Sequence, residues 1–451
     1  MEEILLTEIA TWCNLKTLLN GSIKTISTDS RVIDENTLFI ALKGERFDAN
    51  DFVDEVLEKG AKAVVCSRYE GSSDRVLLVE DTGKALLEIA KGYRSKFKIP
   101  FVALTGSVGK TTTKGMVYAV LSHKYNTLKT QGNFNNEIGV PKTLFCLENS
   151  HEAAVIEMGM NHFEEISRLT DTVKPDIGII TNVGTAHIEN LGSREGILKA
   201  KMEITEGMKK GAPLIINGDN DMLSTVDTTD FEIITFGIDS ENLYMKAEDI
   251  SFLPDGSEFT AICENEKVKA FVPAVGVHNV YNALCAMCVG LKCGFTLQEA
   301  AEALKNFAPE GMRQNVREVK SYTFIEDCYN ANPDSMKASL TTLNTIKKSR
   351  SIAVLGDMLE LGSYSETAHY DVGKFAGEQK TDIVLTFGEL SKLIKKGATE
   401  NGTEAHSFTD KLELTEYLKS ILKENDTVLF KGSRSMKMEE IFHKLYKEWE
   451  V

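Results

Sequence analysis

The residues Thr105-Gly106-Ser107-Val108-Gly109-Lys110-Thr111-Thr112 have the composition of a loop that binds phosphate groups. They follow an apolar run at 101–104 and open a stretch with a helical pattern, which is the setting that such a loop requires. Glycines let backbone N–H groups approach phosphate oxygens, and the start of a helix favours their negative charge. Lys110 would reach the β- and γ-phosphates, and Thr111 would offer its hydroxyl to Mg²⁺. The alternative, a glycine turn between a strand and a helix, does not explain the lysine and the threonines.

Two side chains that suit a metal follow the next apolar runs. Glu157 ends the run at 153–157, and His187 follows the run at 177–183. Parallel strands bring their last residues to one edge of a sheet, so Glu157 is placed to bind Mg²⁺ there. A solvated glutamate at a strand end is the alternative. For His187, a metal ligand and a turn histidine both remain open.

Two asparagine-rich segments lie in the same part of the chain. Asn133, Asn135 and Asn136 fall in one loop, where they would form a turn or recognise a polar substrate. Asn279 and Asn282 lie at the start of an apolar helical pattern, where they would bind a nucleotide or cap the helix.

Polar residues also crowd two strand ends late in the chain. Asp327, Tyr329 and Asn330 follow one apolar run, and a turn alone does not account for all three. Lys431 and Arg434 follow another run, where two cations and a glycine indicate an anion site or a solvated loop.

The elements that must position these residues begin with a small α/β domain at 1–99. Strand-like runs at 38–42 and 62–66 flank a helical pattern that ends at Gly60, as a helix with a glycine C-cap does.

Two larger domains are predicted to follow. Over 100–311, continuous apolar runs alternate with helical patterns, which predicts a doubly wound, mostly parallel sheet. An antiparallel extension is predicted over 245–272, around the turn signal Asp255-Gly256. Four strand–helix units over 312–451 predict a Rossmann-like α/β domain.

Composition excludes several classes of partner. The chain has 451 residues and a net charge of −16, so it is predicted to repel nucleic acid and anionic lipid. No apolar run approaches the length of a membrane span, and the acidic start does not read as a signal peptide. Cys285 and Cys288 form a C-x-x-C inside an apolar helical pattern, which does not favour a metal site. A reduced, cytoplasmic protein is the prediction.

Taken together, the motifs resemble those of the Mur ligase family over nearly the whole chain. The family's shortened phosphate loop matches 106–112, its metal-binding acid and histidine match Glu157 and His187, and its carbamylated lysine matches Lys201. Its H-N-x-x-N segment matches His278, Asn279 and Asn282. Its nucleotide-contacting arginine matches Arg313, and its third-domain aspartate matches Asp327.

Other stretches resemble one branch of the family, and that resemblance implies an activity that joins D-alanyl-D-alanine to UDP-N-acetylmuramoyl-tripeptide. These stretches are 27–31, 42–44, 133–136, 354–362 and 431–434. The resemblance implies an acyl-phosphate intermediate and a role in peptidoglycan precursor synthesis. It departs at Ala49-Asn50, where that branch usually has Gly-His, in the domain that resembles a uridine-nucleotide-binding domain.

The resemblance also implies a role for each candidate residue. The catalytic residues would be Lys110, Glu157, His187 and Lys201. The ATP-binding residues would be Gly106, Ser107, Val108, Gly109, Lys110, Thr111, Thr112, Asn279, Asn282, Arg313 and Asp327. The substrate-binding residues would be Ser30, Arg31, Lys43, Asn133, Asn135, Asn136, Tyr329, Asn330, Lys431 and Arg434. The metal ligands would be Thr111, Glu157, His187 and Lys201 as its carbamate. ATP, two Mg²⁺ ions and a monomeric protein are implied as well.

Two other functions compete with this one. A sister ligase of the family, or a folylpolyglutamate-type ligase, would add a single amino acid and is not expected to carry the runs at 354–362 and 431–434. An ATPase that acts as a switch would hydrolyse ATP without an acceptor.

Overall fold

The computed structural model describes residues 1–17, 19–44 and 47–450, which form strands and helices in alternation. The strands up to residue 100 are β1 (Ile4–Leu5), β2 (Ser22–Ile23), β3 (Thr25–Ser27), β4 (Thr37–Ile40), β5 (Ala63–Cys66) and β6 (Val76–Leu78). The helices there are α1 (Leu6–Trp12), α2 (Val53–Glu58) and α3 (Thr82–Arg94).

The central part of the chain contributes the longest series of elements. Its strands are β7 (Phe101–Thr105), β8 (Thr127–Lys129), β9 (Ala153–Glu157), β10 (Ile177–Ile180), β11 (Pro213–Asn217), β12 (Glu232–Gly237), β13 (Met245–Leu253), β14 (Gly256–Cys263) and β15 (Glu266–Val272). Its helices are α4 (Lys110–Leu121), α5 (Gly139–Leu144), α6 (Glu165–Val173), α7 (Ile188–Leu191), α8 (Arg194–Met202), α9 (Val277–Lys292) and α10 (Leu297–Leu304).

The last part of the chain repeats the alternation. Its strands are β16 (Asn315–Val319), β17 (Tyr322–Asp327), β18 (Ser351–Gly356), β19 (Ile383–Phe387), β20 (Glu404–Phe408) and β21 (Thr427–Lys431). Its helices are α11 (Pro333–Ile346), α12 (Ser365–Glu378), α13 (Lys392–Glu400), α14 (Lys411–Ile421) and α15 (Glu439–Trp449). Short 3-10 helices occur at Ala49–Phe52, Glu203–Gly207, Leu223–Thr225, Gly362–Tyr364 and Arg434–Met436.

The described residues form four sheets. Their strand orders are β1-β2, β3-β4-β5-β6, β15-β14-β13-β12-β11-β10-β7-β9-β8 and β16-β17-β21-β18-β19-β20. The predicted α/β class is therefore confirmed. Contacts between Cα atoms group the chain into two compact units. The first is Met1–Thr105, Lys124–Ile179 and Met202–Leu214, and the second is Gly106–His123, Ile180–Lys201 and Ile215–Val451. The predicted domain boundaries at residues 99 and 311 are not tested by this division into two units, so they stay a prediction.

In the first unit, parallel strands carry buried apolar runs. The sheet β3-β4-β5-β6 is parallel throughout, and every residue of β4 and β5 is buried. Strand β9 pairs in parallel with both β7 and β8. Parallel strands that are covered on both faces read as continuous apolar runs, which is why the sequence reveals them.

In the second unit, the antiparallel extension lies where the sequence predicts it. Strands β13 and β14 pair as a hairpin in which Leu253 faces Gly256 across the turn, and β15 adds to β14. In the six-stranded sheet, β16 is antiparallel to β17, and the other neighbouring strands pair in parallel. Neighbouring residues of β21, such as Val428 and Leu429, enter two separate apolar clusters, so the sheet is buried on both faces.

The two cysteines of the C-x-x-C motif belong to the core of α9. Cys285 and Cys288 are buried there, and burial raises the pKa of both thiols. Within residues 1–17, 19–44 and 47–450, no three side chains of His, Cys, Asp or Glu gather in a way that would hold a metal ion. In the same part of the chain, no helix combines the length and the apolar character needed to cross a bilayer.

Candidate active site

The phosphate loop joins β7 to α4 and turns at Gly109. Gly109 has a φ of 80° and directly precedes the first residue of α4. A side chain there would be strained by that φ, and its Cβ would lie 2.9 Å from Asn282 Oδ1. Lys110 Nζ donates a 2.8 Å hydrogen bond to the carbonyl oxygen of Gly106. The loop is therefore a tight turn that brings a lysine and a helix N-terminus together.

The segment after β10 holds this loop in one conformation. Asn182 Oδ1 accepts hydrogen bonds from the backbone N–H groups of Ser107 (3.0 Å) and Val108 (2.9 Å). Thr181 Oγ1 donates to the carbonyl oxygen of Val108 at 2.8 Å, and the N–H of Gly184 donates to Ser107 Oγ at 3.0 Å. Thr181 and Asn182 were not among the residues predicted from the sequence. The only sign of them was a polar pair directly after an apolar strand.

Helix α9 approaches the phosphate loop through Asn282. Its Oδ1 accepts a 3.0 Å hydrogen bond from Thr113 Oγ1, and its Nδ2 donates to Asn279 Oδ1 at 3.3 Å. Asn279 Nδ2 donates to the carbonyl oxygen of Val275 and to Gln314 Oε1. The helix begins after Gly276 without a side-chain cap, so the capping alternative for the two asparagines is wrong. Both asparagines are buried instead as parts of one polar network.

Lys201 lies on the buried face of α8. Its relative exposure is 1%, although it is a lysine. Burial lowers the pKa of the Lys201 amine well below its ordinary value, and the positive charge of Lys110 lowers it further. The side chain is therefore held in surroundings that favour a neutral amine, which is the form of lysine that acts as a nucleophile.

His187 ends a short loop in the second unit. Its φ of 64° places it in the left-handed region, directly before α7. The turn alternative therefore describes its backbone. Its side chain is partly buried, and Nδ1 lies 3.4 Å from Glu360 Oε2. Two residues earlier, the N–H of Thr185 donates a 3.2 Å hydrogen bond to Asp334 Oδ2.

Glu157 is a buried carboxylate at the end of β9 in the first unit. Its Oε1 accepts a 2.9 Å hydrogen bond from Asn135 Nδ2, and its N–H donates to Thr130 Oγ1 at 3.0 Å. The N–H of Gly159 donates to the carbonyl oxygen of Asn135. The predicted metal acid and one predicted substrate residue are thus brought together.

The other asparagines of the 133–136 loop differ in their surroundings. Asn136 Oδ1 accepts hydrogen bonds from the N–H groups of Ile138 and Gly139, so it stabilises the start of α5. Asn133 is exposed, and its carbonyl oxygen accepts a hydrogen bond from the N–H of Asn135. The turn alternative thus describes Asn136, whereas the side chain of Asn133 faces solvent.

The strand ends of the six-stranded sheet form a buried ion pair. Asp327 and Lys431 are partners across β17 and β21, and Lys431 Nζ donates to Asp327 Oδ2 at 2.6 Å. Ser339 Oγ also donates to this carboxylate oxygen, and Lys431 Nζ donates to the carbonyl oxygen of Asn330. The predicted anion site is therefore locally neutralised. Nearby, the guanidinium of Arg313 stacks over the Tyr329 ring at 3.9 Å, while Arg434 pairs with Glu439.

The candidates near the N-terminus lie on loops of the first unit. Arg31 is exposed and makes a two-pronged hydrogen-bonded ion pair with Asp29, which lowers the pKa of that carboxyl group. Ser30 precedes it, and Lys43 forms an isolated backbone bridge with Asp48. Asn50, in the departure from the family pattern, is buried.

Asn50 connects two loops of this unit. Its Oδ1 accepts from the N–H of Ser67 at 2.9 Å, and its Nδ2 donates to Asp48 Oδ1 at 2.6 Å. The side chain at this position is thus committed to the fold.

Family models match most of the chain. The model described as Mur ligase family, catalytic domain, matches residues 22–94; Mur ligase middle domain matches 104–290; and Mur ligase, glutamate ligase domain, matches 312–434.

Individual proteins are similar over nearly their whole length. UDP-N-acetylmuramoyl-tripeptide--D-alanyl-D-alanine ligase of Bacillus subtilis is 39% identical over 434 residues, which cover 94% of this chain and 93% of that protein. The crystal structure of MurF from Acinetobacter baumannii superposes with a TM-score of 0.92 at 31% identity and covers 99% of both chains. MurF ligase from Thermotoga maritima, solved in complex with ADP, has a TM-score of 0.87 at 29% identity, covering 94% of this chain and 98% of that one.

Proposed function

This chain belongs to the Mur ligase family, and we propose that it is an ATP-dependent ligase that joins D-alanyl-D-alanine to UDP-N-acetylmuramoyl-tripeptide. The observation that carries this function is the phosphate loop, which Asn182 holds through two hydrogen bonds beside the helix N-terminus at Lys110. Similarity to a relative of that name over 94% of the chain supports the choice of substrates. The product is a precursor of peptidoglycan.

ATP is held by residues 106–112 and by the network behind them. Backbone N–H groups at the start of α4 and the ammonium of Lys110 suit the phosphates of a nucleotide. Asn282 accepts a hydrogen bond from Thr113 of α4 and donates one to Asn279. These two asparagines, together with Arg313 and Asp327, complete the nucleotide site. The relative solved with ADP supports a nucleotide as the ligand.

Thr111, Glu157, His187 and Lys201 have the chemistry to hold Mg²⁺, and we assign them two ions. Hydroxyl and carboxylate oxygens suit this hard cation, and a carbamate on Lys201 would add two more oxygens. The lowered pKa of Lys201 supports the carbamate, because only the neutral amine attacks CO₂; its N–C bond forms as one N–H proton is released. When bound, Mg²⁺ neutralises charge on the phosphates.

The reaction has two steps. A carboxylate oxygen of UDP-N-acetylmuramoyl-tripeptide attacks the γ-phosphorus, and its bond to phosphorus forms as the bond to ADP breaks. The amine of D-alanyl-D-alanine then attacks the carbonyl carbon of this acyl phosphate, phosphate leaves, and the nitrogen loses a proton. Lys110 stabilises the charge on the transferring phosphoryl group. Residues from 312 onward exclude water from the acyl phosphate.

Substrate contacts are assigned to three groups of residues, some through their own side chains and some by holding a neighbour. The groups are Ser30, Arg31 and Lys43; Asn133, Asn135 and Asn136; and Tyr329, Asn330, Lys431 and Arg434. Because Asn136 and Lys431 already bond within the fold, they act by positioning their loops.

We also propose three properties of the whole protein. It has domains at 1–99, 100–311 and 312–451, it is a monomer, and it works in the cytoplasm. Eight cysteines that form no disulfide support the last point.

Phosphate release from ATP tests the function. The purified protein is given UDP-muramoyl peptides of increasing length, each combined with D-alanyl-D-alanine or with a single amino acid. Release should require the tripeptide together with D-alanyl-D-alanine. Equal turnover with a shorter precursor and a single amino acid would assign the chain to a sister ligase, and release without any acceptor would indicate an ATPase switch.

A further inference from the structure

A carboxylate from helix α11 contacts the backbone of the loop that carries His187. We call residues 184–187 the histidine loop. Asp334, in the first turn of α11, accepts a 3.2 Å hydrogen bond from the N–H of Thr185 through Oδ2. The two residues are 149 positions apart in the chain. The contact therefore ties the last part of the chain to a loop of the central part.

Gly184 is what lets this carboxylate come so close. A Cβ built on Gly184 would lie 2.1 Å from Asp334 Oδ2, far inside any real contact. The next nearest side chain, Ser107, would be 3.5 Å from that Cβ, which is an ordinary distance. The Asp334 carboxylate thus occupies the space that a side chain at residue 184 would need.

The histidine loop also touches the phosphate loop. The N–H of Gly184 donates to Ser107 Oγ at 3.0 Å. Arg194 holds Val183, the residue directly before the histidine loop, by donating a 2.8 Å hydrogen bond to its carbonyl oxygen. A displacement at Gly184 and Thr185 would therefore reach both Ser107 and His187.

Other contacts from the same part of the chain fall on this region. Glu360 Oε2 lies 3.4 Å from His187 Nδ1. A Cβ built on Gly362 would lie 3.1 Å from the side chain of Glu189, just after the histidine loop. Asp334 is the member of this set with a hydrogen bond to the loop backbone.

We infer that Asp334 is a positioning residue for ligation. Its carboxylate holds the histidine loop so that His187 and Ser107 keep the arrangement that phosphoryl transfer requires. This inference rests on the proposed function. It assigns to Asp334 no contact with either substrate.

Asp334→Ala tests the role by two measurements. The kcat for ligation should fall about 10-fold, as it does when a group supporting a ligand is lost, with the KM for ATP changed by less than about twofold. Without substrates, hydrogen exchange of the Thr185 amide should become about fivefold faster, because its acceptor is gone. Asp334→Asn keeps an acceptor oxygen and should restore kcat to within about threefold of the wild type.

Glu366→Ala is the matched control. Glu366 is an exposed acidic residue in the first turn of α12, so it resembles Asp334 in its relation to a helix. Its removal should change neither kcat nor exchange at Thr185. If kcat falls in both variants, the cause is the loss of a negative charge in the first turn of a helix, and the inference is overturned.

Gly184→Ala gives an independent test through the same contact. The added methyl group should displace the carboxylate and lower kcat in the wild type. In the Asp334→Ala background the clash is absent, so the same substitution should cost much less. Equal costs in both backgrounds would overturn the inference.

The outcomes separate this inference from the proposed function. If the wild-type protein does not ligate the tripeptide and D-alanyl-D-alanine, the proposed function fails, and the positioning role fails with it. If the wild type ligates while Asp334→Ala leaves either kcat or Thr185 exchange unchanged, the positioning role alone is overturned.

Discussion

Lys201 and Lys431 are both almost fully buried, yet they have opposite electrostatic surroundings. Lys431 donates a 2.6 Å hydrogen bond to the carboxylate of Asp327. Lys201 instead experiences the positive charge of Lys110. Burial disfavours an ammonium group; Asp327 offsets that cost for Lys431, whereas Lys110 adds to it for Lys201. We therefore expect Lys431 to contribute to stability and Lys201 to contribute to the chemistry.

The largest effect is expected from removing the amine of Lys201. Lys201→Ala should abolish ligation while ATP still binds, because the proposed carbamate can no longer form. Phosphate release and equilibrium binding of ATP measure the two properties separately. Short carboxylic acids should restore part of the activity of this variant by supplying oxygen ligands, and Lys201→Glu serves as a comparison with a built-in carboxylate. Normal ligation by Lys201→Ala would show that the reaction does not need the Lys201 amine. The proposed difference in function between Lys201 and Lys431 would then be wrong.

The same kind of change at Lys431 should act on stability. Lys431→Met leaves Asp327 buried without its cation, which typically costs about 3–5 kcal/mol of unfolding free energy. Urea denaturation measures this loss. Replacing both partners, with Met at 431 and Leu at 327, should recover much of it, because no charge then remains buried. A stable Lys431→Met protein with a raised KM for D-alanyl-D-alanine would instead make Lys431 a direct substrate contact.

The smallest effect is the pH dependence of stability at Lys201. Its pKa is lower in the folded than in the unfolded protein, so the unfolded state binds more protons between those two pKa values. The unfolding free energy of the wild type should therefore rise with pH up to the unfolded pKa, about 10.4. Lys201→Met removes this dependence. It should be more stable than the wild type near pH 7 and lose that advantage as the pH approaches about 10.

Denaturation of both proteins in buffer free of CO₂ measures the difference, and Lys110→Ala should weaken the dependence by removing the neighbouring cation. Near pH 7, Lys201→Met should raise the unfolding free energy, whereas Lys431→Met should lower it. A stability difference between Lys201→Met and the wild type that does not change with pH would contradict the account of Lys201.

Much of the fold could be predicted because the signals are local. Apolar runs marked β7 and β9, and the turn Asp255-Gly256 marked the hairpin. Strands β16 and β20 were missed. Both are edge strands with exposed or partly exposed residues, so they lack the continuous apolar run of a central strand.

The site was predicted less completely because its contacts join distant residues. The glycines and Lys110 form one short motif that the sequence displays. The ion pair of Asp327 and Lys431 spans 104 positions, and no periodicity reveals it. Asp334 and Asn182 were missed for the same reason, since each acts by bonding to backbone far away in the chain.

The hydrogen bonds of Asn182 to the phosphate loop have a consequence for the kinetics of nucleotide capture. Two loop N–H groups already have an oxygen partner, and Lys110 already bonds the loop carbonyl. The conformational entropy of this turn is therefore lost during folding and does not weaken nucleotide affinity. A phosphate that takes over the two N–H groups exchanges one acceptor for another. Capture then depends on how fast the Asn182 side-chain oxygen releases the N–H groups of Ser107 and Val108, and a rotamer change of this kind is much faster than the ordering of a loop.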